Sequence, residues 1–72
     1  MTAEYDLRGV PCPLTWARAR VRLEELSRGT QLLILTDDAR SARDLPRAAE
    51  ASGFAIIEVL AAADHWRITI ET

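Results

Sequence analysis

The run Leu32-Leu33-Ile34-Leu35 restricts this chain more than any other stretch. Four successive apolar residues have no polar face, so a strand there reads as a central one with neighbours on both edges. The strand spans Thr30 to Thr36, and Asp37-Asp38-Ala39-Arg40-Ser41 reads as the turn that ends it.

The remaining elements arrange themselves around that strand. Ala3 to Leu7 reads as a short first strand, and Gly9 to Pro11 as a turn, because Gly relaxes the backbone and Pro11 restricts both itself and Val10. Pro13 suits the first turn of a helix, where its missing N–H costs nothing. Trp16, Ala19, Leu23 and Leu26 follow as one apolar stripe, and Gly29 ends the helix. Leu45, Ala48, Ala49 and Ser52 share the face of a second helix, terminated by Gly53. Its start has two readings. Ser41 with Asp44 resembles a capping box, but strands Pro46 beyond the first turn; Asp44 as the cap accommodates Pro46. Phe54 to Leu60 is a third strand, Ala61 to Asp64 a turn, and Trp66 to Glu71 alternates apolar and polar as a fourth strand with one wet face. The order β-α-β-α-β-β predicts an α/β two-layer sandwich: a four-stranded mixed sheet with two helices on one face. The other face, partly open, would be a protein-contact surface.

Seventy-two residues suffice for a single domain, 1–72, that buries about 60% of its unfolded surface. With one Cys and one His, the monomer has neither a disulfide nor a Cys/His metal cluster, so aliphatic packing must supply the core. No cofactor is implied. Glu4, Asp6 and Arg8 exclude a signal peptide over the first residues. The longest apolar stretch, Phe54 to Ala63, is broken by Glu58 and far too short to cross a bilayer. A cytoplasmic protein without membrane contact is expected, in which a free thiol stays reduced. All nine cations are arginine, against a net charge of −2. Arg18, Arg20 and Arg22 form either a patch for an acidic partner or a solvated helix face. The weakly acidic total argues against direct nucleic-acid binding.

Cys12, the only thiol, stands where the first helix begins. Free N–H groups and the helix dipole favour an anion at such a place, and so the nucleophilic thiolate. A lone thiol suits covalent carriage of a group better than disulfide cycling, which needs a second cysteine.

These residues carry a resemblance. Asp6, Arg8, Gly9, Cys12 and Pro13 match the N-terminal signature Asp-x-Arg-Gly-x-x-Cys-Pro-x-Pro of the TusA/SirA-like sulfur-carrier family. Asp37, Asp38, Arg43, Asp44, Leu45 and Pro46 match its second block, and Gly29 and Gly53 also fit. The chain resembles that family over essentially its whole length. The resemblance implies a sulfurtransferase-type carrier. Cys12 would take sulfane sulfur as a persulfide from a cysteine desulfurase or rhodanese-type donor and pass it to an acceptor protein. Such relays feed tRNA thiolation, molybdenum-cofactor synthesis or sulfur oxidation. The alternative is a non-catalytic interaction or regulatory module on the same fold, and selenium in place of sulfur stays open.

The supporting residues are Arg8, Gly9, Pro13, Thr15, Arg43 and Asp44. Thr15 replaces the family's second motif proline, and Thr15→Pro is expected to be neutral or mildly stabilising. Trp16 fills the core or flanks the cysteine. Arg43 pairs with Asp44 and is also available to a sulfur oxyanion. Arg8 points either to the thiolate or to solvent. Asp37 and Asp38 read as turn and capping residues rather than as an acid/base or metal pair.

Overall fold

The computed structural model describes residues 2–72. It contains β1 (Thr2–Asp6), α1 (Leu14–Glu25), β2 (Gln31–Thr36), α2 (Ala39–Ala51), β3 (Ala55–Ala61) and β4 (Trp66–Glu71). The sheet order is β1-β2-β4-β3, with β1 parallel to β2 and both other pairings antiparallel. The all-apolar β2 is indeed central, and β4 is the second inner strand.

The register explains the alternation. Ala3 and Tyr5 lie beside Leu32 and Ile34, which face Ile70 and Ile68 across the next ladder. This face packs under the helices: Leu32, Ile34, Ile68 and Ile70 join Leu7, Ala19, Leu23, Leu45 and Ala49 in one buried core. Trp16 and Leu26 are partly buried against it, so Trp16 does serve the core. On the opposite face Gln31, Leu33 and Leu35 lie across from Glu71, Thr69 and Arg67. A register shift between Ile56 and Glu58 disturbs the edge strand β3, whose Ile57, Val59 and Leu60 are exposed.

Both helix starts differ from expectation. Pro13 is the N-cap of α1 and not its first helical residue, so Cys12 lies one residue outside the cap. The second helix begins well before Asp44. Asp38 is extended and its carboxylate accepts the N–H groups of Arg40 and Ser41, so Ala39–Ser41 are helical and not turn. Ser41, Leu45 and Ala49, spaced by four, form the buried face, which requires the helix to be established by Ser41. Pro46 therefore sits inside α2, where it cannot donate to the Ala42 carbonyl. The early start gains a good cap and one more buried turn.

Candidate functional site: the Cys12 loop

The turn from Leu7 to Pro13 leaves the sheet at the end of β1 and delivers Cys12 to the N-terminus of α1. Gly9 makes it possible: its φ is 85°, a left-handed conformation, and the space where a side chain would point is empty. The Gly9 requirement is thus conformational, not steric. The Cys12–Pro13 peptide is cis. Pro11, Pro13 and Leu14 around the cysteine are exposed, while Cys12 itself is half-buried and free.

Two carboxylates from the end of β2 hold this loop. Asp37 Oδ1 accepts the Gly9 N–H at 2.9 Å, and Asp38 Oδ2 accepts the Cys12 N–H at 3.0 Å. The Cys12 N–H is therefore not free for an anion, contrary to the simple helix-terminus picture. The same Asp38 uses its other oxygen for α2, at 2.8 Å to the Arg40 N–H and 3.3 Å to the Ser41 N–H. Asp38 is itself steadied by its N–H, which donates to buried Thr36 Oγ1 at 3.3 Å. Donation from Cys12 first, then from Ser41 and Arg40, holds the Asp38 carboxyl below its ordinary value. Gly9, Val10, Pro11, Asp37, Asp38 and Ala39 line a shallow depression where the loop meets the end of β2. Aspartates at the end of a strand signal only a turn or a cap. Their bonds to a loop more than twenty residues away were not readable from spacing.

Thr15 is the second surprise. It is buried, and its hydroxyl lies 2.6 Å from that of Ser41. The bond is not local; it fastens the first turn of α1 to the first turn of α2. No buried side-chain polar atom lacks a partner among the described residues.

The two arginines divide. Arg8 grips Asp6 through two bonds, Nε to Oδ1 at 3.0 Å and Nη2 to Oδ2 at 2.8 Å. That grip pulls the Asp6 carboxyl down to about 2. The Arg8 charge feels Asp6 first, then Asp64 and Asp37. That charge is balanced by these acidic groups. Arg43 instead pairs with Asp44 at 2.9 Å on the exposed face of α2. Its pKa is raised chiefly by Asp44, with Cys12 as the smallest contributor. Gly9 and Pro13 belong to the Cys12 loop, Arg43 and Asp44 pair with each other on α2, and Arg8 is engaged by Asp6. His65 Nδ1–H donates to Asp64 Oδ1 at 2.7 Å and lies outside this group.

The described residues contain no group of three or more His, Cys, Asp or Glu side chains placed to hold a metal ion. None of their helices is long and apolar enough to cross a membrane.

A two-layer sandwich that presents a single thiol on a braced loop ahead of a helix defines a class of small group carriers. Residues 3–72 match the family described as Sulfurtransferase TusA, and the chain belongs to that family. Two relatives from Archaeoglobus fulgidus are named for a sulfur-carrier role. One is 33% identical over 67 residues, covering 92% of this chain and 76% of the relative. The other is 30% identical over 66 residues, covering 92% and 90%. The crystal structure of a SirA-like protein from Desulfitobacterium hafniense superposes with a TM-score of 0.84 at 30% identity, covering 100% of this chain and 97% of that one. The fold is thus that of the SirA-like neighbour, and the general role is sulfur transfer.

Proposed function

We propose that Cys12 carries sulfane sulfur as a persulfide between two partner proteins. The Cys12 thiolate attacks the outer sulfur of a donor persulfide on a cysteine desulfurase or rhodanese-type protein. The donor's S–S bond breaks, the donor cysteine leaves as thiolate, and the sulfur stays on Cys12. An acceptor cysteine then attacks that outer sulfur, and Cys12 leaves in turn. No redox equivalent is consumed in either step.

The observation that carries this reading is the placement of the only thiol. It lies outside the core, on a loop pinned at Gly9 and Cys12, ringed by exposed Pro11, Pro13 and Leu14. A pinned loop presents the sulfur to a partner in one geometry. With no second thiol in the chain, the monomer cannot discharge its own persulfide.

Incubation with polysulfide, or with a cysteine desulfurase and cysteine, is expected to add about 32 Da, one sulfur on the thiol ladder. Reductant should remove the increment. Absence of the adduct from folded protein would overturn the carrier reading in favour of an interaction module.

A further inference from the structure

We infer that Asp38 is the positioning residue of the sulfur carrier: its two carboxylate oxygens serve two different helices, and one of them fixes Cys12. Oδ1 caps α2 through Arg40 and Ser41. Oδ2 faces the other way and takes the Cys12 N–H at 3.0 Å. The residue lies 26 positions from the cysteine, so this bond ties the loop to the far end of β2.

The arrangement explains why a carboxylate is required and not merely a good cap. Ser, Thr, Asn and Asp all cap helices well, because one side-chain oxygen is enough. Only a carboxylate offers a second acceptor on the opposite side at the same moment. Serine keeps the cap and leaves the Cys12 N–H without a partner. Asparagine keeps the cap through Oδ1, but turns its NH₂ toward the Cys12 N–H, donor against donor. The two functions of Asp38 are therefore separable by substitution.

Three contacts converge on the carboxylate's position. Thr36 Oγ1 accepts the Asp38 N–H from inside the core, which orients the residue. Asp37 holds Gly9 at 2.9 Å, so the loop has a second anchor on the adjacent residue. The Thr15–Ser41 hydroxyl pair locks α1 to the turn of α2 that Asp38 caps. Cys12 is consequently referenced to α2, the helix that also bears Arg43. The Asp38 bond sets where the backbone of Cys12 stands relative to that charge. A protein donor must meet the sulfur in a fixed approach, whereas a small polysulfide can follow a mobile thiol. Removing the anchor should therefore harm only the first.

This inference rests on the proposed persulfide role, and the test separates the two. Wild type, Asp38→Ser and Asp38→Asn are compared in three measurements. Amide hydrogen exchange at Cys12 is expected to accelerate by about tenfold or more in both variants, as befits loss of a charge-assisted bond. The Arg40 and Ser41 amides should keep their protection. Cys12 loading from a cysteine desulfurase and cysteine should slow by about fivefold or more, while loading by polysulfide stays within about twofold. Asp38→Glu, with the charge but a longer reach, should restore little of the protein-donor rate.

Unchanged exchange at Cys12 in the variants would overturn the anchor whatever the loading rates. Equal slowing with both donors would overturn the positioning role, because the change would then lie in the thiol's chemistry. A wild type that loads from neither donor would sink the persulfide role, and hydrogen exchange would still decide the anchor.

Discussion

The two helix N-termini of this molecule stand side by side and are finished in opposite ways. That of α2 is closed: Asp38 caps it with bonds to two N–H groups. That of α1 is open: Pro13 occupies the cap position and no side chain caps the helix. Helix starts usually gain about 0.5–2 kcal/mol from a polar cap, so forgoing one is a local weakness. The open terminus is the one beside Cys12. The closed terminus lends its neighbour rigidity, through Asp38 to the Cys12 N–H and through Ser41 to Thr15. The contrast teaches that order at the reactive loop is imported from an adjacent helix, so the surface around the sulfur needs no capping side chain of its own.

The comparison can be broken most severely at the sulfur. Cys12→Ser should fold normally, since the side chain is half-buried and nearly isosteric, and should show no 32 Da adduct with polysulfide by mass spectrometry, a complete loss (about one sulfur mass). An adduct on the variant would place the chemistry elsewhere.

The hydroxyl pair between the termini comes next. Thr15→Val leaves Ser41 buried with its partner gone, and should cost about 1–3 kcal/mol in urea unfolding. Adding Ser41→Ala should recover much of that loss, because neither buried group is then orphaned. Thr15→Pro falls in the same class. Its early helix position argues for neutrality, but the substitution also removes the buried bond to Ser41, so a loss of stability is now expected.

Acid should loosen the closed side. Asp6 is held at about 2 by Arg8, and Asp38, Asp44 and Asp64 are also lowered, by Cys12, Arg43 and His65 in turn. Groups depressed in the folded state bind fewer protons folded than unfolded. Their stabilisation is therefore full above about pH 4 and is lost as pH falls toward about 2. Urea midpoints should fall across that window and be flat from pH 5 to 7. In Asp38→Ser the fall should be shallower. An unchanged fall would show that Asp38 is not among the titrating groups.

The smallest effect separates the two arginines. Arg43→Gln should slow polysulfide loading of Cys12 by about twofold at low salt, and the difference should fade near about 1 M salt. Arg8→Gln should leave loading unchanged, since its charge is committed to Asp6. The reverse order would mean that Arg8, not Arg43, governs the charge around the sulfur.

Much of this was readable along the chain. The apolar run of β2 placed it in the sheet's interior, and the alternation from Trp66 to Glu71 identified a strand with one wet face. The stripe of Ala19 and Leu23 identified the buried side of α1. The cysteine, the Gly9 turn and the Arg43–Asp44 pair were also evident, because each depends on neighbours within a few residues. Where local signals competed, the reading failed. Pro46 argued for a late start to α2, yet burial of Ser41, Leu45 and Ala49 and the Asp38 cap together outweighed one missing helical bond.

Periodicity and turn chemistry act over a few residues, and so the residues themselves specified the order of the elements, the faces that bury and the single thiol ahead of a helix. Which acceptor meets which donor across the fold belonged to the tertiary structure. Asp38 meets Cys12, Asp37 meets Gly9 and Thr15 meets Ser41 at separations of 26, 28 and 26 residues. A carboxylate or hydroxyl has the same local preferences whether or not such a partner exists. Only packing of α1 and α2 on one face of the sheet brings the ends together and turns a capping aspartate into the brace of the Cys12 loop.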